Sequence, residues 1–328
     1  MKQAIIIVAF NRSFELNRLL ESIANSKIVS EIDLVISIDH SASQDAIKDI
    51  AHDFEWIYGN KRVILHKQNL GLKKHVISCG DLGSEYDMFI MLEEDIVVSP
   101  FFLQYTKDAI NFYKADDSIC GVSLYSYMVK ESDKQPLYPV IDGYDNFFMQ
   151  FPSSWGQAWT SKHWFDFKDW LIHNDSETKI DGVTPEYILR WPSSSWKKQF
   201  ARYMCHKDKY FVYPRVSLTT NCGAKGQNHS FVFDLFSTQL LLGHYEWRFL
   251  SFDTAHIRYD SRFELNVSDE YINKYLPYLR LEFNNGEHGS RKFFRKYPYS
   301  FLFYGRLAVL SFINDFKKSI VKIGKSLK

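Results

Sequence analysis

Three consecutive carboxylates, Glu93, Glu94 and Asp95, close an apolar run in the stretch YDMFIMLEEDIVVSPFF, Tyr86 to Phe102. Adjacent acids repel one another, and holding them together is costly unless a cation or a protonated partner neutralises them. A hard divalent ion suits the pattern, because magnesium or manganese takes one or two protein carboxylates and completes its octahedron with water and substrate phosphate oxygens. The other reading of an isolated EED is a solvated acidic loop, and the triplet alone does not separate the two. Polar residues follow three other apolar runs: Asn11-Arg12-Ser13, Asp39-His40-Ser41 and His66-Lys67. A ribose or a base needs a carboxylate acceptor and backbone groups, and a diphosphate needs an arginine or a metal. Arg12, a metal and Lys73 are the candidates for meeting phosphate charge, whereas Asp39 standing alone is equally a turn or helix cap. There is no GxGxxG and no Walker loop, so neither a dinucleotide nor a P-loop nucleotide is favoured.

Positioning these residues at one edge requires a parallel sheet. Ile5 to Phe10, Leu34 to Ile38, Val63 to Leu65 and Met88 to Leu92 read as short buried strands. Between them, Leu16, Leu19, Leu20 and Ile23, then Ala46, Ile47, Ile50, Ala51 and Phe54, then Val76 and Ile77, fall at helical spacing. Alternating strands and helices argue for right-handed crossovers, with ligands at the carboxyl ends of the strands. Ser99-Pro100 reads as an N-cap followed by proline at the first helical position, so a helix is expected directly after the acids.

Composition narrows the class. With 40 Lys and Arg against 39 Asp and Glu the formal net charge is +1, which offers no global electrostatic case for nucleic acid. Aromatic content is 17%, which suits stacking on sugars and equally suits a thick core. Cys79, Cys120, Cys205 and Cys222 are scattered, without CxxC or zinc spacing, and read as reduced thiols of a cytoplasmic protein. AIIIVAF at the start reads as the first strand rather than a signal peptide, and no run of some 18 apolar residues predicts a spanning helix.

The pieces AFNRSFELNRLLESI, SIDHSASQD, HKQNLGLKKHVISC, MLEEDIVVSPFFLQYTKDA and ICGVSLYSY, in this order, resemble the GT-A glycosyltransferases. The likeness is to the N-acetylglucosaminyltransferase I type, and also to bacterial family-two polysaccharide glycosyltransferases, over Ile5 to about His229. The resemblance implies an α/β fold of GT-A type, Rossmann-like with a mostly parallel central sheet and flanking helices. It implies a nucleotide-sugar-binding half over 1–125 and an acceptor half over 126–235; the C-terminal extension, 236–328, lies past the resemblance and is read as basic and helical from its own composition and spacing. By the same resemblance Phe10, Asn11 and Arg12 contact the nucleotide and Asp39 the base or ribose. Gly71 and Lys73 line the donor sugar, Glu94 neighbours ribose or sugar, and Asp95 is the metal ligand. His229 matches a histidine near the metal or diphosphate; by itself it reads as a surface or satisfied histidine.

In DNFFMQFPSSWGQAWTSKHWFDFKDW, Trp155 and Gly156 read as a hinge loop that brings an aromatic face to a pyranose, followed by a helix bearing Trp159 and Trp164. Core packing explains the last two at least as well. In WPSSSWKKQFAR the resemblance points to a helix start where inverting relatives place a catalytic carboxylate just after a tryptophan, but here Lys197 and Lys198 follow Trp196. A lysine of ordinary pKa cannot take a proton from a hydroxyl at neutral pH. Glu186 is therefore the expected displaced base, with Asp181 and Asp175 as alternatives. From Ser290 the chain turns basic and aromatic, with Val309, Phe312, Ile313, Phe316, Ile320 and Ile323 at helical spacing. That segment reads either as an interfacial helix at an anionic membrane or as a helix docked on the protein.

The expectation is thus a transferase, hexosyl or N-acetylhexosaminyl, that uses Mn2+ or Mg2+ and a nucleotide-diphosphate sugar on a glycan or lipid-linked acceptor. It would be inverting and peripheral at the inner membrane face. A retaining enzyme and a silent nucleotide-sugar or glycan binder are the rivals.

Overall fold

The computed structural model of the chain describes residues 1–175, 181–222 and 236–268. The first half is a regular alternation of strands and helices: β1 (Gln3–Ala9), α1 (Ser13–Ala24), β2 (Asp33–Ile38), α2 (Gln44–Asp53), β3 (Lys61–Leu65), α3 (Leu72–Asp81) and β4 (Met88–Glu93). These strands pair in parallel, with β1 between β2 and β4 and β3 outside β2. Every residue of β1 and β2 is buried, as expected of strands covered on both faces, and α1 packs Leu16, Leu19, Leu20 and Ile23 inward.

The acids do not run directly into a helix. Ile96–Val98 forms β5, and α4 (Phe102–Tyr113) starts two residues beyond Pro100, because the Ser99 hydroxyl accepts from Phe101 N–H and Ser99 O from Phe102 N–H in a turn. The chain continues through β6 (Ile119–Ser123), β7 (Asn146–Met149), β8 (Gln157–Thr160), α5 (Ser161–Asn174), α6 (Glu186–Leu189), α7 (Trp196–Lys207), β9 (Tyr210–Pro214), β10 (Thr219–Asn221), β11 (Ile257–Tyr259) and β12 (Leu265–Val267). Among the described residues one sheet runs in the order β12-β11-β7-β9-β6-β8-β4-β1-β2-β3, and β10 pairs with β5 beside it. The sheet is mixed and mostly parallel in its first half; β8 lies antiparallel between β4 and β6. This is the Rossmann-like architecture expected.

Two expectations are corrected. Trp159 does not share a helix with Trp164: it sits on β8, fully buried, and the helix begins only after Thr160, whose side chain accepts from His163 N–H while His163 reaches back to the Thr160 amide. That capping box ends the strand and starts the helix at one residue. The expected boundary at 235 also moves. The compact unit extends from Met1 to Asn266; Leu250, Phe252 and Tyr259 are buried, and Leu250 is tied at both ends, its N–H donating to Asn146 Oδ1 at 2.8 Å and its carbonyl accepting from Tyr113 Oη at 2.5 Å. Strands rather than helices occupy the described part of 236–268. The basic helix expected after Ser290 lies outside the described residues, and among those described no helix is long and apolar enough to cross a membrane.

Packing between α3 and α5 leaves no room at Gly80, where an added Cβ would stand 2.0 Å from the ring of the buried Trp164. Gly80→Ala should lower unfolding stability by roughly 1–3 kcal/mol, read as a drop in urea midpoint at unchanged slope.

Candidate active site

The carboxyl ends of β1 and β4 lie side by side, with Val8 paired to Glu93, so the residues after each strand meet at one corner. Arg12, between β1 and α1, donates from Nε to Glu94 Oε1 and from Nη1 to Asp95 Oδ2, both at 2.8 Å. The carboxylates are nearly enclosed, with Glu94 7% and Asp95 13% exposed in their side chains. Burial works against the Arg12 charge, yet the facing Glu94 and Asp95 more than offset it and hold the guanidinium protonated. Burial, then the neighbouring Asp95 and Glu94, push Glu93 well above the usual carboxylate range; Glu94 is raised by burial and partly brought back by Arg12. Asp95 Oδ1 is buried with no hydrogen-bond partner. A carboxylate with one oxygen clamped by arginine and the other left bare fits a hard cation. Among the described residues no three His, Cys, Asp or Glu converge on one point. Cys222 N–H donates to Asp95 O at 3.0 Å, and β10 pairs with β5, so the backbone around Asp95 is held from the far side too.

Asp39, at the end of β2, is buried and organises the next loop. Oδ1 accepts from the amides of His40 and Leu70 at 2.9 Å, and Oδ2 from that of Gly71 at 3.1 Å. The capping role weighed for it is real, and three amides still leave one acceptor position of the carboxylate free for a ligand. Gly71 has φ +74 and open space where a Cβ would stand, so its backbone conformation is what calls for glycine. The Ser41 hydroxyl donates to Phe10 O at 3.3 Å and joins the loops after β1 and β2; Phe10 is half-buried and Asn11 exposed. Lys73 is turned away, ion-paired to Asp175 at 2.5 Å. Beneath this edge the Ser37 hydroxyl lies between His66 Nε2 (3.1 Å) and His75 Nε2 (2.8 Å).

On the other side of β4 lies β8, with Gln157 paired to Met91. Trp155 is 8% exposed, its ring tilted over Tyr125, Tyr127 and Phe236 at centroid distances of 4.8–5.6 Å. Packing rather than presentation of a free ring face to a sugar is what this geometry shows. Gly156 has φ +93, and a Cβ there would meet Thr219 Cγ2 at 2.7 Å, so glycine serves the close approach of β10.

Lys197, on the first turn of α7, points into a box of four rings: its Nζ lies 4.7 Å from the Phe151 centroid, 5.5 Å from those of Trp155 and Trp191, and 5.6 Å from that of Tyr127. Its counterion is Glu131, at 2.5 Å. Glu186 is exposed on α6, and no described contact joins it to the acidic corner. Asp181 is consumed by His206, Thr184 and Val183. His229 lies outside the described residues. Glu131 and Tyr127 escaped the sequence reading because no local motif marks them; the available signal was that a lysine directly after a buried tryptophan needs a buried anion.

A Rossmann-like sheet carrying an acidic triplet and an arginine at the β1 and β4 ends has the architecture of the GT-A glycosyltransferases. Residues 4–165 match the family described as Glycosyl transferase family 2, so the chain carries that family's domain. Solved structures that match the chain include residues 1–349 of S. aureus TarS, with TM-score 0.41 and 14% identity over 67% of this chain and 60% of that one. The same protein in complex with UDP-GlcNAc has TM-score 0.44 and 12% identity over 71% and 62%. Mannosyltransferase PcManGT from Pyrobaculum calidifontis, in complex with GDP-Man and Mn2+, has TM-score 0.38 and 10% identity over 66% and 57%. The chain thus spans about three fifths of the length of the solved structures it matches.

Burial lowers His75 to about 4, with Asp39 opposing and His66 adding to the shift. The folded state keeps His75 neutral while the unfolded chain takes up a proton below about pH 6.5, so stability is lost as pH falls from 6.5 towards 4. His163, also lowered to about 4, adds to the same window. Urea midpoints at pH 7, 5.5 and 4.5 should fall in that order, and less steeply in His75→Gln.

Proposed function

We propose that the chain transfers a sugar from a nucleotide-diphosphate donor to a hydroxyl of a glycan or lipid-linked glycan, with inversion at the anomeric carbon. The observation that carries this reading is the corner at the β1 and β4 ends, where Arg12 neutralises two acids and leaves Asp95 Oδ1 buried and bare. The family 2 domain match supports the class of reaction.

In this reading the loop after β1, Phe10 to Arg12, and Asp39 hold the nucleoside. The free acceptor position of Asp39 takes a donor from base or ribose, and its three amide bonds keep that carboxylate from turning away. Arg12 holds Glu94 and Asp95 in place in a nearly dry site and keeps them from swinging into the donor. Gly71, with its left-handed backbone, lets the start of α3 approach the donor sugar. Asp95, joined by His229, would hold Mn2+ or Mg2+, which when bound supplies a fixed positive charge for the leaving diphosphate. Lys73 reaches phosphate only by leaving Asp175, so in this reading it guards the entrance until donor arrives.

Calorimetry with UDP-GlcNAc and GDP-mannose, with manganese and with EDTA, tests the proposal. At least one donor should bind in manganese and weaken at least tenfold in EDTA and in Asp95→Ala, and nucleoside diphosphate release should follow the same order. Binding that ignores both changes would remove the metal corner from the mechanism. Donor bound without any release or transfer would leave a silent binder, and product anomer analysis separates inversion from retention.

A further inference from the structure

A carboxylate outside the acidic triplet is placed for proton transfer. The segment leaving β6 runs from the carboxyl end of that strand, the same edge that carries Glu93 to Asp95, and folds back on itself through hydrogen bonds from Lys130 N–H to Gln135 O and from Leu137 N–H to Met128 O. Glu131 stands in this turn with its side chain 14% exposed. Its Oε1 accepts from Lys197 Nζ at 2.5 Å and from Tyr127 Oη at 2.7 Å, and among the described residues neither of these donors engages Oε2. The four rings around the Lys197 ammonium fix it, and the fixed ammonium in turn fixes the carboxylate. The Lys197 ammonium also interacts electrostatically with Glu93 at the end of β4, so this pair stands beside the acidic corner. The rival carboxylates are spent or distant: Asp181 on His206 and Thr184, Asp175 on Lys73, Glu186 on the exposed face of α6.

We propose that Glu131 is the general base for the acceptor, with Lys197 and Tyr127 as its positioning residues; this rests on the transferase reading above. As the acceptor oxygen bonds to the anomeric carbon, its O–H proton passes to Glu131 Oε2, and the bond from that carbon to the diphosphate oxygen breaks with its electron pair on the leaving group. The lysine that replaces an acid after Trp196 thus does not abolish base catalysis. It anchors a carboxylate supplied by another segment.

The test uses the full chain with UDP-GlcNAc or GDP-mannose as donor and water or octyl glucoside as acceptor, following nucleoside diphosphate release. Glu131→Gln should lower kcat by about 10²- to 10⁴-fold, leave donor affinity by calorimetry within about twofold, and abolish the acid limb of the kcat profile. Because the lone Gln variant strands a buried ammonium, Glu131→Gln with Lys197→Met is made in parallel; it should regain the wild-type melting temperature and stay inactive. Wild-type turnover in Glu131→Gln, or recovery of turnover in the double variant, would reduce Glu131 to a structural counterion and overturn the proposal. Absence of donor binding by the wild type is a separate result, which overturns the transferase reading itself.

Discussion

The arrangement depends on one exchange of charge, Arg12 against Glu94 and Asp95. Two neighbouring acids in a nearly dry corner, with a third just before them, would be protonated or pushed apart without it. A single planar guanidinium spans both, one N–H on each, because β1 and β4 are adjacent and in register and their following residues reach the same height. The parallel sheet is therefore the device that makes the corner possible. It also explains why the ligand edge lies at the strand ends, where loops supply polar groups that strands cannot.

Around that corner the protein spends its polar groups on holding backbone. Asp39 ties three amides, Thr219 Oγ1 donates to Trp155 O, and Asp95 O accepts from Cys222 N–H. Residues that looked like ligand contacts from the sequence thus fasten the loops at this edge, and in the proposed reading they carry ligand contacts as well. The two duties agree, since a carboxylate pinned by amides presents its remaining lone pair in one direction only.

Much of the first half was legible in the sequence because parallel strands buried on both faces read as unbroken apolar runs, and α1 shows its inward face at simple helical spacing. The register that joins Arg12 to the acids is absent from any local pattern, yet the order of the pieces pointed to it. Reading failed where tertiary context outweighs local signal. Trp159 follows a glycine and precedes a helix, and only the antiparallel insertion of β8 between β4 and β6 makes it a strand residue. Glu131 lies 66 positions before Lys197, and a pair that distant leaves no spacing to notice. Glu186, expected as the displaced base, is exposed on α6, and that exposure has no mark in the local sequence.

The aromatic box around Lys197 has a consequence for how this position can vary. Ring faces are electron-rich, and the Glu131 carboxylate already stands opposite the ammonium. An aspartate or glutamate placed there would meet repulsion from every wall. An acid at this position would be accommodated only if the rings and the opposing anion changed with it.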